Sequence, residues 1–378
     1  MAKNDFWIHV LSAFSLGVFS AISFFFISGC AFFVRTPAYH PASEPSEEAP
    51  RKYSRGVFHV HSDFSHDSQA SFEKILRTAQ KGDLDFVVIT DHNTIAGAKT
   101  YSLLNMPARP LLAFGTEISA PDGHLIALGV RDMPPHGGTS QQIIDWIHSE
   151  GGYAILPHPV CKKNPWKNWN VEGVDGLEVY NFGHSFYLEN KAKLAAMGLF
   201  LFPRPFLKAF QNIQPKAMNL WDEKLQKGKM AGLGAADAHI HVQFLGMTPE
   251  NFLMAMQAVT LYAQLDHLTS KEIFTALATG RSFIVFEARG MAKGFSYTAT
   301  SQERLYGPGD SVMSPAPVFL SVATPEASHI RLIHNGKKIK EVTGKQLFAD
   351  ADKEGAYRVE VDRDGKPWII TNPIYVQK

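Results

Sequence analysis

Between Val57 and about Arg289 the chain alternates short apolar runs with stretches whose apolar positions recur every three to four residues. DFVVIT (85–90), ARPLLAFGTEI (108–118), HLIALGV (124–130), GYAILPH (152–158), VDGLEVY (174–180) and MAGLGAAD (230–237) read as strands. SFEKILRTAQKG (71–82), TSQQIIDWIHSEG (139–151) and AMNLWDEKLQKG (217–228) carry helical periodicity with glycine at or near the end. Such alternation predicts an α/β fold with a mainly parallel sheet. About 230 residues suit a barrel, in which chemistry collects at the C-terminal ends of the strands. No internal repeat of fixed period is present.

Beyond residue 295 the period falls to two. PVFLSVATP, HIRLIHNGKKIKEV and AYRVEVDRDGKPWIITNPIYV alternate apolar and polar positions around Asn335-Gly336 and Asp364-Gly365, dipeptides suited to tight hairpins. The pattern predicts a small antiparallel, sandwich-like β-domain (293–378) following the α/β part (56–292).

The N-terminus departs from both patterns. After Lys3 and Asp5 there is no charge from Phe6 to Val34, long enough for a bilayer core of ~30 Å. ISGC at 27–30 resembles a bacterial lipobox, which would make residues 1–30 a signal and Cys30 the acylated residue; AFFV after Cys30 also suits an uncleaved signal anchor. Residues 31–55, rich in Pro, Ser and charge, read as a flexible tether. Both alternatives make the membrane a partner through the N-terminus and place the folded part at the bacterial cell envelope, outside the cytoplasm. Composition is globular, with 45% hydrophobic and 19% charged residues in 378, and a net charge of +1 gives no basic stripe for nucleic acid as a main partner. Cys30 and Cys161 are the only cysteines, so no disulfide framework is expected. Cys161 reads as a packed thiol near the site.

Candidate chemistry begins in FHVHSDFSHDS (58–68), which gathers His59, His61, Asp63, His66 and Asp67. Alternation on a strand puts His59 and His61 on one face, able to share a metal ion or to form an unliganded pair. Further strand ends carry Asp91 with His92, Glu117, His124, His158, and Asp237 with His239. Imidazoles mixed with carboxylates suit Zn, Mn or Fe better than Ca or Mg, and their recurrence points to a multinuclear centre. His184 in NFGHS is a candidate leaving-group acid or a surface histidine. Arg281 in ATGRSF is a candidate phosphate clamp or a structural ion pair. LFLFPRPFLKAF (199–210) interleaves four phenylalanines with Arg204 and Lys208, as core packing, a lid over an apolar substrate or a membrane-facing patch would.

Together FHVHSDFSHDS, ITDHNT, GTEIS, GHLIALG, LPHP and GLGAADAHI resemble, in order, the motifs of the PHP (polymerase and histidinol phosphatase) superfamily over about residues 57–290. LWDEKLQKGKMAGLGAADAH, LATGRSFIV, IRLIHNGKKI and PWIITNPIYV extend the likeness to its carbaryl-hydrolase-like (CehA/McbA) branch. The resemblance implies a distorted (β/α)7 barrel with two or three divalent metal ions. It implies that His59, His61, Glu117 and Asp237 hold one metal. Glu117 would bridge to a second, held by His124 and His158, and Asp67, His92 and His239 would hold the third, His66 competing with Asp67. Asp91 beside His92 reads as orienting a ligand or as a proton donor. The implied activity is hydrolysis of a small-molecule ester, a phosphoester first, by a metal-bridging hydroxide. The alternatives are a carbamate or carboxylic ester at the same site, or a binding lipoprotein with structural metals.

Overall fold

A computed structural model describes residues 53–188, 213–240 and 252–377. Cys30, the apolar run Phe6–Val34, most of the tether and the aromatic run 199–210 lie outside the described residues. Among the described residues no helix is long and apolar enough to cross a membrane.

Seven strands carry the site: β1 (Ser54–Val60), β2 (Phe86–His92), β3 (Leu111–Ala120), β4 (Gly123–Leu128), β5 (Tyr153–Leu156), β6 (Gly176–Asn181) and β7 (Ala231–Ala235). They pair in chain order, and the predicted strands all form. β1–β2, β2–β3, β5–β6 and β6–β7 are parallel. β4 runs antiparallel to both its neighbours, because the two residues linking it to β3 are too few for a parallel crossover. Parallel strands buried on both faces read as continuous apolar runs, as FVVI in β2 does with every residue buried.

At the site end the ring closes by backbone. Ala236 N donates to Phe58 O at 3.0 Å, Ala238 N to His59 O at 3.2 Å and His61 N to Ala238 O at 3.0 Å. The other end closes differently. There β8 (Thr260–Ala263) pairs antiparallel with Ser54–Gly56 of β1, and β9 (Ser282–Val285) follows it. Asn372 completes the end: its Oδ1 accepts Gly232 N at 2.7 Å, and its Nδ2 donates to Gly232 O at 3.1 Å and Ser282 O at 3.0 Å. A side-chain amide thus satisfies backbone groups of β7 that a neighbouring strand would otherwise take.

The three predicted helices form as α1 (Phe72–Lys81), α2 (Ser140–Ser149) and α3 (Pro215–Leu225). Ser71 caps α1 through Lys74 N at 3.3 Å, and Thr139 and Gln142 make a reciprocal capping box on α2. Pro215 opens α3, where its missing N–H leaves no donor unpaired.

The remaining strands are β10 (Ser296–Ser301), β11 (Arg304–Tyr306), β12 (Ser311–Met313), β13 (Phe319–His334), β14 (Lys337–Asp350), β15 (Gly355–Arg363), β16 (Lys366–Thr371) and β17 (Ile374–Gln377). They are antiparallel apart from β12 on β17. Asn335 and Gly336 (φ 46° and 79°) and Asp364 and Gly365 (φ 54° and 69°) make the expected left-handed hairpin turns. Gln302 and Glu303 turn the same way (φ 48° and 62°) with no such sequence signal. These strands are continuous with the sheet of the α/β part: β16 pairs with β9, and Tyr262, Phe283 and Val285 share a core with Tyr297, Leu320 and Trp368.

Gly115 lies on β3 two residues before Glu117, and a Cβ there would sit 2.6 Å from Ala127 O of β4. Gly115→Ala must therefore separate the hairpin and should destabilise the protein by roughly 1–3 kcal/mol. Gly138→Ala, whose Cβ would meet nothing nearer than 3.6 Å, should change stability little. Denaturant unfolding of the two variants checks this.

Candidate metal centre

Glu117, near the end of β3, is 1% exposed. A carboxylate cannot stay ionised there unless donors surround it. Its Oε1 lies 2.6 Å from His124 Nδ1 and 3.0 Å from His158 Nε2. Its Oε2 lies 2.9 Å from His59 Nε2, 3.3 Å from His61 Nε2 and 3.6 Å from His92 Nε2. Five imidazoles thus converge on one side chain, divided between its two oxygens.

A second carboxylate, Asp237, approaches His59 and His61 at 3.5 and 3.6 Å and His239 at 3.5 Å. Asp67 lies 3.3 Å from His92 and 3.2 Å from His239, and Ser65 Oγ donates to it at 2.7 Å. All nine ligand-type residues named from the sequence therefore meet. Their donor atoms form four overlapping groups: His61, Asp67, His92 and His239; His59, His158 and Asp237; His59, His61 and Glu117; His92, Glu117 and His124. His61 belongs with the Asp67 group as well as with Glu117, and His158 joins His59 and Asp237, so the grouping is more interlocked than the three separate ligand sets implied by resemblance. His66 is exposed and outside every group.

The backbone reaches this arrangement by strain. His59 (φ 66°), His158 (φ 31°) and Asp237 (φ 47°) all occupy the left-handed region, at about 1–3 kcal/mol each. They are the members of one donor group. In β1 the register slips between Val57 and Val60, where one extra residue makes a bulge, and β1 ends at Val60 before His61. Simple strand alternation therefore does not account for the two histidines sharing a face. A bulge re-aims His59, and closure onto Ala238 positions His61, leaving the ring centroids 5.0 Å apart. Gly183 permits the close approach on the other side, since a Cβ there would lie 2.7 Å from Asp237 O.

Electrostatics follow the geometry. Burial opposes ionisation of Glu117, yet the charge of His59 and the hydrogen bonds from His124, His158 and His59 hold it well below the usual carboxylate range. Asp237 is likewise low against burial, chiefly through His59. His59 is well above an ordinary histidine despite burial, through Glu117, Glu178 and Asp237. The raised imidazoles of His59, His158 and His239 stand against these carboxylates; divalent cations would balance the same charges in their place. His61 Nε2 supports that fit: it is buried with no hydrogen-bond partner and faces Glu117 and Asp237.

One functional residue was missed from the sequence. Glu178 on β6 is buried, with Oε1 2.6 Å from His59 Nδ1, and Oε2 accepting His158 N at 2.7 Å and Asn181 Nδ2 at 2.8 Å. It fixes the ring of one ligand and the backbone of another. Its only sequence signal is a lone acid inside the strand GLEVYN (176–181).

The remaining candidates divide. Asp91 accepts Ser62 N and Ser62 Oγ, both at 2.6 Å, so it fixes the turn after His61 and joins no donor group. Burial raises its pKa, with the Ser62 bonds opposing. His184 N donates to Asn181 Oδ1 at 2.7 Å, and its Nε2 is buried without a partner. With His158, Cys161 and Glu178 it lines a cavity of about 20 Å³, room for one water. Arg281 is elsewhere. It precedes Ser282, which is level with Ala263 and hence with Ser54 at the start of β1; strand rise puts it roughly 20 Å from His59 and His61. The expectation that Arg281 clamps a substrate is corrected by this register.

A buried carboxylate ringed by imidazoles at the strand ends is a donor set that fits divalent metal. The PHP domain family matches residues 58–159. The chain is 33% identical over 131 residues to the uncharacterized protein MJ1587 of Methanocaldococcus jannaschii, covering 34% of this chain and 76% of that protein. The chain belongs to the PHP domain family. Its fold is also similar to a two-domain protein of Bacteroides vulgatus containing a "predicted PHP-like metal-dependent phosphoesterase", with 17% identity, a TM-score of 0.44, and coverage of 86% of this chain and 98% of that one.

If Glu178 orients His59, Glu178→Gln should weaken metal affinity about tenfold to a hundredfold without unfolding the protein. Competition with a chromogenic chelator measures it. Unchanged affinity would show that β1 and β7 fix His59 without that carboxylate.

Proposed function

We propose that the protein is a metal-dependent hydrolase acting on phosphoesters, with two or three divalent cations (Zn, Mn or Fe) held by His59, His61, Asp67, His92, Glu117, His124, His158, Asp237 and His239. The observation that carries this reading is the division of Glu117's oxygens between two sets of imidazoles, as a carboxylate bridging two cations requires. Bound cations would lower the pKa of water from ~15.7 towards 7 and offset the charge of substrate oxygens. The chain's own residues do the positioning. Glu178 holds His59, Asp91 holds the turn after His61 through Ser62, and the strained backbone at His59, His158 and Asp237 fixes three donors before any ion arrives. His184, with its unpartnered Nε2 beside His158, is proposed to donate a hydrogen bond to the leaving group. The likeness to the carbaryl-hydrolase-like branch supports the alternative, a carbamate or carboxylic ester cleaved at the same site.

We also propose that Cys30 anchors the protein at the bacterial envelope; the uncharged run Phe6–Val34 supports this.

The metal-loaded chain should hydrolyse aryl phosphomonoesters or phosphodiesters, lose the activity on chelation and regain it with Zn or Mn. Glu117→Gln should reduce kcat/KM by at least about a hundredfold, more than replacement of any terminal histidine, because it alters both cations. His66→Ala should leave activity nearly unchanged. Comparable losses in the two variants, or turnover of aryl carbamates but no phosphoester, would contradict the proposal.

A further inference from the structure

The segments carrying the cluster, 57–70, 91–95, 116–124, 157–163, 178–185 and 236–240, contain two lysines and no arginine, and both lysines follow His158 on one turn. That turn is pinned. Cys161 N donates to His158 O at 3.0 Å, Trp166 N to Pro159 O at 3.0 Å, and Lys167 N to Asp122 O at 2.9 Å, beside His124. Asn164 N donates to Cys161 Sγ at 3.2 Å. Cys161 and Trp166 are 5% and 4% exposed, so they anchor the loop at both sides. Lys162 and Lys163 lie between them, exposed and without an ion pair or hydrogen bond among the described residues. The Lys162 charge reaches His184, which burial and His158 already hold below an ordinary histidine. Lys162 thus stands on the His158–His184 side of the cluster, with Lys163 next to it on the same turn.

We propose that Lys162 and Lys163 form the anion-recognising rim of the site and select substrates that carry a phosphate. The inference rests on the phosphoesterase reading and names what Arg281 cannot supply from the opposite end of β1. A phosphate on two cations still presents an oxygen to solvent, and an ammonium held on a rigid turn can meet it with little ordering cost. Exposed lysines also steer anions, an effect that salt screens over ~8 Å at physiological ionic strength.

The test uses the metal-loaded full chain with inorganic phosphate as the probe. Lys162→Ala/Lys163→Ala should weaken phosphate binding by calorimetry at least about tenfold. It should raise KM for 4-nitrophenyl phosphate by a similar factor, with kcat moving less and metal content unchanged. Lys162→Arg/Lys163→Arg should keep most of the parent's binding, and hydrolysis of neutral 4-nitrophenyl acetate, where present, should not respond to Lys162→Ala/Lys163→Ala. Phosphate affinity within twofold of the parent would overturn the proposal. If the parent hydrolyses no phosphoester, the functional reading fails, and the phosphate-binding comparison still decides the role of the lysines.

Discussion

The architecture of the site depends on one buried charge. Glu117 is shielded from water in the interior, where an unpaired carboxylate is not tolerated. Its neighbours are therefore those that can carry positive charge or hold a cation: His59, His61, His92, His124 and His158. Those histidines come from β1 and the residue that follows it, from β2, from β4 and from the loop after β5. A local electrostatic requirement thus becomes a constraint on four chain segments at once. Glu178 extends it outward, since its two oxygens hold the ring of His59 and the backbone of His158.

Backbone strain and strand closure meet at the same place. Ala236 and Ala238 bind the end of β1, and Asp237 between them takes a left-handed conformation. Such conformations persist where the surrounding structure over-determines them. Here the hydrogen bonds that close the ring supply that determination, so the donors are arranged by folding rather than by a ligand. The opposite end has no such demand, and Asn372 with β8 and β9 completes it by ordinary hydrogen bonding.

Much of this was legible in the sequence because period and composition report burial directly. The apolar runs marked β2 to β7, and Asn335-Gly336 and Asp364-Gly365 marked their turns, since few residues accept positive φ. Eight of the donors stood out because imidazoles and carboxylates at successive strand ends have few reasons to recur, whereas Asp67 was expected only by resemblance, with His66 competing. The bulge at His59 was not, because a one-residue slip leaves the hydrophobic pattern of β1 almost intact. Glu178 was hidden for a related reason: one acid in a strand looks like an exposed position until its tertiary partners are known. Arg281 misled because residue type suggested phosphate, while only the pairing of β9 with β8 and β1 shows which end of the barrel it occupies.

We propose that this cluster holds more than one cation and that catalysis requires them. Elemental analysis and activity, measured on the same sample through successive steps of chelation, test it most directly. More than one equivalent of Zn, Mn or Fe per chain is expected in active protein, with metal and activity falling together. Full activity in protein carrying no metal would contradict the account.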